Sequence, residues 1–371
     1  MIDLEALRSE PAAHALVERI ETLVTEPVAL MEVCGTHTVA ISRFGLRSML
    51  PSDLRLLSGP GCPVCVTPLV EIDRAIAVAR TPGVILTTFG DMMRVPGSES
   101  SLEAERAEGA DVRILYSPLE ALEIAEGNED HEVVFVGVGF ETTSPTIAAS
   151  VVEADRRGIV NFSVLPFFKT VPTALDMLAA LPGRALDGFI CPGHVSTIIG
   201  SDAYGPVARD RNLPCVVVGF EPLDILAGLV MLLEQVRAIR DEGEHARVEN
   251  QYARAVTPEG NRAAQALLAD VFEECDAEWR EIGAIPGSGY EFSERYRSFD
   301  TRERLTVSVP TPAGPTGCIC GEIMLGLKLP TDCPLFAGRC TPRDPVGPCM
   351  VSTEGSCAAF YKYDRGNSSE V

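Results

Sequence analysis

The sequence is poor in positive charge, in aromatic residues and in long apolar runs, and each shortage removes a class of protein. Lys and Arg together number 31 against 53 Asp and Glu, a formal net charge of −22. So acidic a surface repels phosphate backbones and anionic lipid, which argues against nucleic acid and membranes as partners. No apolar stretch approaches the roughly 20 residues needed to span a bilayer. The opening residues 1–24 are acidic and amphipathic and lack the basic start and apolar run of a signal peptide, which implies a cytoplasmic protein. Gly137 and Gly139 lack the third glycine of a dinucleotide loop, so a nicotinamide site is rejected. A C-x3-C-x2-C pattern is also missing, which removes radical S-adenosylmethionine chemistry.

What remains is a globular chain with 46% apolar residues. Its 371 residues exceed what one core usually fills, so two or three domains are expected. Cysteine is plentiful, at twelve. In a reducing compartment that number points to metal and redox chemistry rather than to a disulfide framework.

The densest chemistry lies in Ser58-Gly-Pro-Gly-Cys-Pro-Val-Cys-Val-Thr-Pro68, where glycines and prolines make a stiff loop presenting Cys62 and Cys65. Such a pair reads as a redox couple or as half of a metal site. A structural zinc knuckle is the plainer reading, and it needs further ligands. Upstream, a helix is expected from Leu4 to about Val24, then an apolar strand from Val28 to Val33 running into Cys34-Gly-Thr-His-Thr38. Helical spacing follows from Val39 to Leu50, with Thr36 or Thr38 as the N-cap. Cys34 thus stands where a strand gives way to a helix, whose amides and dipole favour a thiolate. His37 is close enough in sequence to assist it.

A pattern of landmarks then occurs twice. The spacing from Pro68 to Pro118 equals that from Pro172 to Pro222, and Gly90–Gly97 equals Gly193–Gly200. Helices and short apolar strands recur between them in the same order, which suggests a duplicated α/β unit with mostly parallel sheets. The fold class expected is α/β: two Rossmann-like lobes plus a C-terminal cysteine-rich domain. The segments are 1–50 for the helix and Cys34 junction, 51–128 for the first lobe, 129–240 for the second, and 241–371 for a helical and cysteine-rich domain. Strand carboxyl ends line the ligand crevice in such folds. Asp91, Glu141, His194 and Glu221 are placed there, although Glu221 reads equally as a helix cap.

Asp241 to Glu249 reads as a charged linker, and Glu259 to Arg280 as a long helix carrying Cys275 and the single tryptophan, Trp279. Beyond Gly317 the character changes. Half of the cysteines, Cys318, Cys320, Cys333, Cys340, Cys349 and Cys357, fall among prolines and glycines with few large apolar residues. A cysteine-ligated metal cluster would supply the missing cohesion. Six sulfurs exceed the four that one zinc or one [4Fe–4S] cluster takes, and spacing alone does not choose between Cys318 and Cys320. Cys191 and Cys215 lie in apolar strands, and with Cys275 are read as inert packing.

Together, Cys34-Gly-Thr-His-Thr, Gly59-Pro-Gly-Cys-Pro-Val-Cys-Val-Thr-Pro, Gly139-Phe-Glu-Thr-Thr, Pro192-Gly-His-Val and the stretch from Cys349 to Lys362 resemble the HypD family. These are iron–sulfur scaffold proteins of [NiFe]-hydrogenase maturation. The resemblance covers essentially the whole chain in order. It implies a scaffold on which an Fe(CN)2CO group is assembled, with a HypC-type small chaperone sharing the iron and HypE delivering cyanide. It also implies Cys34 as chief iron ligand, with Cys62 and Cys65 as the nearby thiol pair. The family cluster pattern C-x14-C-x6-C-x16-C falls on Cys318, Cys333, Cys340 and Cys357, leaving Cys320 and Cys349 as a second redox pair. The competing expectations are a cluster-dependent dithiol reductase and a zinc-stapled interaction protein.

Overall fold

The structure is a computed structural model, and it describes residues 6–181, 186–312 and 317–364. Eleven strands are found among them: β1 (Val28–Glu32), β2 (Leu54–Ser58), β3 (Val84–Thr88), β4 (Val112–Ile114), β5 (Glu132–Gly139), β6 (Phe162–Phe168), β7 (Gly188–Pro192), β8 (Cys215–Val218), β9 (Val248–Asn250), β10 (Phe272–Trp279) and β11 (Gly283–Phe292). They form a five-stranded sheet in the order β2-β1-β7-β8-β9, a four-stranded sheet in the order β4-β3-β5-β6, and a β10-β11 hairpin. Every pair within the two larger sheets is parallel. The inner strands β1, β3, β7 and β8, and the edge strand β6, are buried at every position. That is what helices on both faces of a parallel sheet require, and it explains the near-continuous apolar runs.

The expected α/β class with two Rossmann-like lobes is therefore present, but the chain is shared out differently. β1 and β2 do not stand apart: they join β7, β8 and β9. β5 and β6, expected in the second lobe, join β3 instead: β5 pairs with β3, and β6 pairs with β5. The four-stranded lobe is thus inserted between β2 and β7 of the other. Each copy of the repeated landmarks supplies two neighbouring strands to a different sheet, β3 and β4 to one, β7 and β8 to the other. Parallel pairing needs long crossovers, so partners in a sheet need not be neighbours in sequence.

Three further expectations are corrected. The first helix runs Glu10–Leu23 after a short turn Ala6–Arg8, and Leu4 lies outside the described residues. The helix after β1 starts four residues earlier than expected, at Gly35, with Cys34 itself as N-cap, and it stops at Arg43 before Gly45 in the left-handed region. Between 259 and 280 only Arg262–Val271 is helical. The chain then turns extended, and β10 carries Cys275 and Trp279 in antiparallel pairing with β11. In β10 Phe272, Ala277 and Trp279 are buried while charged neighbours face out. The expected linker ends as the edge strand β9.

The hairpin closes the strand ends of the four-stranded sheet. Trp279 stacks on Phe140 at 6.0 Å and donates from its indole nitrogen to the Ser288 hydroxyl at 2.8 Å. Thr170 N–H donates to the Ser288 carbonyl and Arg280 N–H to the Val66 carbonyl, each at 2.8 Å. One continuous core runs from Met31 and Leu57 through Leu86 and Val134 into Ile323, Met324 and Met350. The cysteine-rich segment thus borrows the lobes' core instead of building its own.

Candidate functional site

Cys34 leaves β1 in extended geometry (φ −146°, ψ 122°) and caps the helix Gly35–Arg43. Two glycines make room for what touches it. A Cβ on Gly61 would stand 2.2 Å from the Cys34 nitrogen, and one on Gly35 would stand 2.4 Å from Cβ of Glu354. Gly35 N–H donates to the Gly61 carbonyl at 2.9 Å, and Gly59 N–H to the Glu32 carbonyl at 2.7 Å. The two glycine-bearing motifs are therefore laced backbone to backbone.

Glu32, fully buried, sits behind the junction. Its carboxylate accepts the Thr38 hydroxyl at 2.6 Å and the Cys34 N–H at 3.3 Å. Burial pushes its carboxyl up to about 7, against the pull of those hydrogen bonds. Cys34 itself is pushed up to about 12, by burial first and then by the charge of Glu354. The expected pull toward a thiolate is present in the amides of Thr36 and His37 but is opposed by this burial. Amides at the helix start do favour the anion, but desolvation and two carboxylates outweigh them, so the free thiol stays protonated. Only a bound cation would reverse that balance.

Cys62 and Cys65 do not sit on a loop presented to solvent. Pro63–Val66 is one helical turn, capped by the Cys62 sulfur, which accepts the Cys65 N–H at 3.2 Å. Both thiols are buried. Cys65 is pushed up by burial and by hydrogen bonding with Cys349 and Cys62. Cys349, on the buried turn Pro348–Val351, is held below the ordinary thiol value because the Cys320 and Cys65 side chains donate to it. Cys318 in turn hydrogen-bonds with Cys320, which raises it. Cys62, Cys65 and Cys349 line one small pocket, and Cys349 lines the next one with Cys320 and Cys318, so the two groups of thiols meet at Cys349.

All six tail cysteines line that second pocket, with Ile323, Leu335, Phe336 and Met350. Gly347 leaves open a spot where a Cβ would lie 2.8 Å from the Cys318 sulfur. Val346 N–H donates to the Cys340 sulfur at 3.3 Å. All twelve cysteines are free. Among the described residues no group of three or more Cys, His, Asp and Glu side chains is gathered in metal-holding geometry.

The remaining expected residues divide. His37 is fixed by its Nε2, 3.0 Å from the Gly219 carbonyl and 3.2 Å from that of Val218, and burial lowers it to about 4. Both His37 and His194 pack on the Phe220 ring, at 4.7 and 4.0 Å. Asp91 accepts the hydroxyls of Ser352 and Thr353, each at 3.3 Å, and so ties the tail to the end of β3. Glu221 is a helix cap that shares a capping box with Asp224 and pairs with Arg8, so the cap reading describes it. Glu141 is buried at the end of β5, accepts the Val171 N–H at 2.9 Å and leaves its second oxygen without a partner. Cys191 and Cys215 are wholly buried on adjacent strands, and their thiols donate to the Phe189 and Leu213 carbonyls, as packing residues do. Cys275 is half-buried on β10.

Two residues that the sequence reading passed over belong to the site. Glu32 was taken as one more strand residue, yet it holds both ends of the Cys34 junction. Glu354 accepts the Thr36 hydroxyl at 2.8 Å and lines a pocket with Cys62, Cys65 and Cys349. The available signal was an acid between Thr353 and Gly355, three residues before a cysteine.

Two lobes of parallel sheet, with buried thiols that meet a cysteine-lined pocket at Cys349, define a two-lobed α/β thiol protein. The family described as HypD, hydrogenase formation hypA family, matches residues 11–364. The hydrogenase maturation factor HypD of Azotobacter vinelandii is 47% identical over 377 residues, covering 99% of this chain and 98% of its own. That of Escherichia coli (strain K12) is 45% identical over 368 residues, covering 98% and 95%. That of Rhodobacter capsulatus is 44% identical over 360 residues, covering 96% and 94%. The chain belongs to the HypD family.

Proposed function

We propose that this protein is a [NiFe]-hydrogenase maturation factor, a scaffold on which the Fe(CN)2CO group is assembled at Cys34. Its partners on this reading are a HypC-type chaperone that shares the iron and a HypE-type protein that delivers cyanide. The observation that carries the proposal is the sharing of Cys349 between the pocket that holds Cys62 and Cys65 and the pocket lined by all six tail cysteines. Soft thiolates suit low-spin iron carrying cyanide and CO. Membership of the HypD family and the names of the relatives support the same reading.

The pocket supplies the donor chemistry of a [4Fe–4S] cluster, six thiols on one lining, though among the described residues they are not gathered into metal-holding geometry. Four sulfurs, Cys318, Cys333, Cys340 and Cys357, suffice to hold it, and the open spot at Gly347 and the N–H of Val346 suit sulfur-rich contents. When bound, a cluster supplies electrons one at a time. Cys320 and Cys349 stand between it and Cys65, placed to cycle between a disulfide and two thiols, with two electrons and two protons taken up per cycle. Glu354 and Asp91 hold the tail against Cys34, and Glu32 fixes the Cys34 backbone. A set of free, buried thiols belongs in a reducing cytoplasm. Burial of Cys62 and Cys65, 4% and 2% exposed, counts against a reductase of protein disulfides, whose attacking thiol must be reached.

Anaerobically purified protein tests this directly. A brown colour with absorption near roughly 400 nm and about four irons per chain is expected. Colourless protein holding stoichiometric zinc and no iron overturns the proposal in favour of a zinc-stapled interaction protein.

A further inference from the structure

The tail pocket is not equally covered on all sides. Cys320, Cys340, Cys349 and Cys357 are buried, whereas Cys318 and Cys333 are only partly so, and the pocket is least covered at those two. Shortly before Cys333 the chain exposes Leu327 (56%) and Leu329 (40%), two of the few large apolar side chains that face water among the described residues. The loop that carries them is held in place: Gly326 has φ +67°, and a Cβ there would meet the Met31 methyl at 2.5 Å. Leu329 N–H is capped by the Asp332 carboxylate at 2.8 Å. Between the leucines stands Lys328, one of three lysines in the chain; Lys169 is buried against Glu71, and Lys362 lies over Tyr363.

The charge of this segment also departs from the rest. In a chain of net charge −22, residues 327–344 carry Lys328, Arg339 and Arg343 against Asp332 and Asp344. All three cations are exposed, and none has an acidic partner within 4.0 Å among the described residues. Exposed leucines in a segment that carries three unpaired cations, with Asp332 and Asp344 as its acids and Glu322 just ahead of it, are what a transient interface offers to an acidic partner: apolar area together with positive charge that speeds encounter. We infer that this face receives a small acidic one-electron carrier protein, which reduces the cluster from its Cys318–Cys333 side. The inference rests on the cluster reading above. Each encounter oxidises the carrier by one electron and reduces the cluster by one. Two encounters with two protons from solvent convert a Cys320–Cys349 disulfide into two thiols. Electrons then enter on the least covered side of the pocket and leave toward Cys65 on the buried side.

The test uses the full chain, purified anaerobically with its cluster, titrated calorimetrically with an acidic [2Fe–2S] ferredoxin at low salt. One-to-one binding is expected, weakened by salt. The double variant Lys328→Glu with Arg339→Glu should bind at least tenfold more weakly, about 1.4 kcal/mol. Leu327→Ser with Leu329→Ser should also weaken binding, with iron content unchanged. Arg209→Glu, an exposed arginine on a surface helix, serves as control and should bind as the parent does. Absence of binding at low salt, or undiminished binding by both double variants, overturns the inference. Protein without iron overturns the cluster reading itself. A brown protein that dithionite bleaches but ferredoxin does not bind refutes only the docking face.

Discussion

Replacing Gly61 by alanine should unlatch the two cysteine motifs. The added methyl would lie 2.2 Å from the Cys34 nitrogen, 2.4 Å from the Val33 carbonyl carbon and 2.5 Å from the Cys34 α-carbon. Carbon contacts are comfortable at about 3.5–4.0 Å, so more than an ångström of movement is required. All three obstacles are backbone, so no side-chain rotation relieves them. Overpacking of this kind costs about 1–3 kcal/mol. Moving the loop also strains the 2.9 Å bond from Gly35 N–H to the Gly61 carbonyl, worth about 1 kcal/mol more. The expected loss is roughly 2–4 kcal/mol, read as a lower urea midpoint at unchanged slope. Gly205→Ala provides the contrast: its backbone is helical (φ −53°, ψ −44°), nothing lies within 4 Å of the new carbon, and stability should hold or rise slightly. A Gly61→Ala protein with the parent's midpoint and undiminished iron cargo would refute the close-packing argument.

Cys333→Ala should lose the brown colour and open the tail to limited proteolysis, because that segment leans on its pocket; unchanged iron and digestion would contradict its role as ligand. Cys320→Ser and Cys349→Ser, made separately, should keep full iron, expose one extra free thiol in oxidised protein and lower maturation. Loss of iron from the Cys320 variant alone would exchange the roles of Cys318 and Cys320. Glu141→Gln should flatten part of the pH dependence of stability. Burial raises the Glu141 carboxyl to about 7, so the folded state holds its proton longer than the unfolded chain, and stability falls as pH rises from about 4.5 to about 7. The variant should match the parent at pH 4 and exceed it by up to about 3 kcal/mol at pH 8, as urea melts would show. A gap that does not change with pH would contradict this.

Much of the site was legible because its chemistry is local. The strand–cysteine–helix junction at Cys34 and the Cys62–Cys65 pair are fixed by neighbours in sequence; the structure keeps the change from strand to helix at Cys34 but starts the helix at Gly35, and it turns the expected loop into one buried helical turn. The strand order was not legible. β1 pairs with β7 across more than half of the lobes, and parallel pairing leaves no local trace of its partner. The stretch from Phe272 to Trp279 misled for a related reason. Its acidic residues satisfy helical spacing, but its buried positions are set by the hairpin with β11 and by the Phe140 ring beneath Trp279. Glu354 escaped notice because its importance lies in reaching Gly35 and Thr36 from the far end of the chain.

The central claim, that Cys34 holds the iron cargo, is tested most directly by infrared spectroscopy of Cys34→Ala purified with its small chaperone. The parent complex should show cyanide and CO stretching bands. The variant should lose both while keeping its brown colour and its urea midpoint, since one buried thiol at a helix cap contributes little to the fold. Both bands at parental strength in the variant would contradict the account and place the iron on another residue.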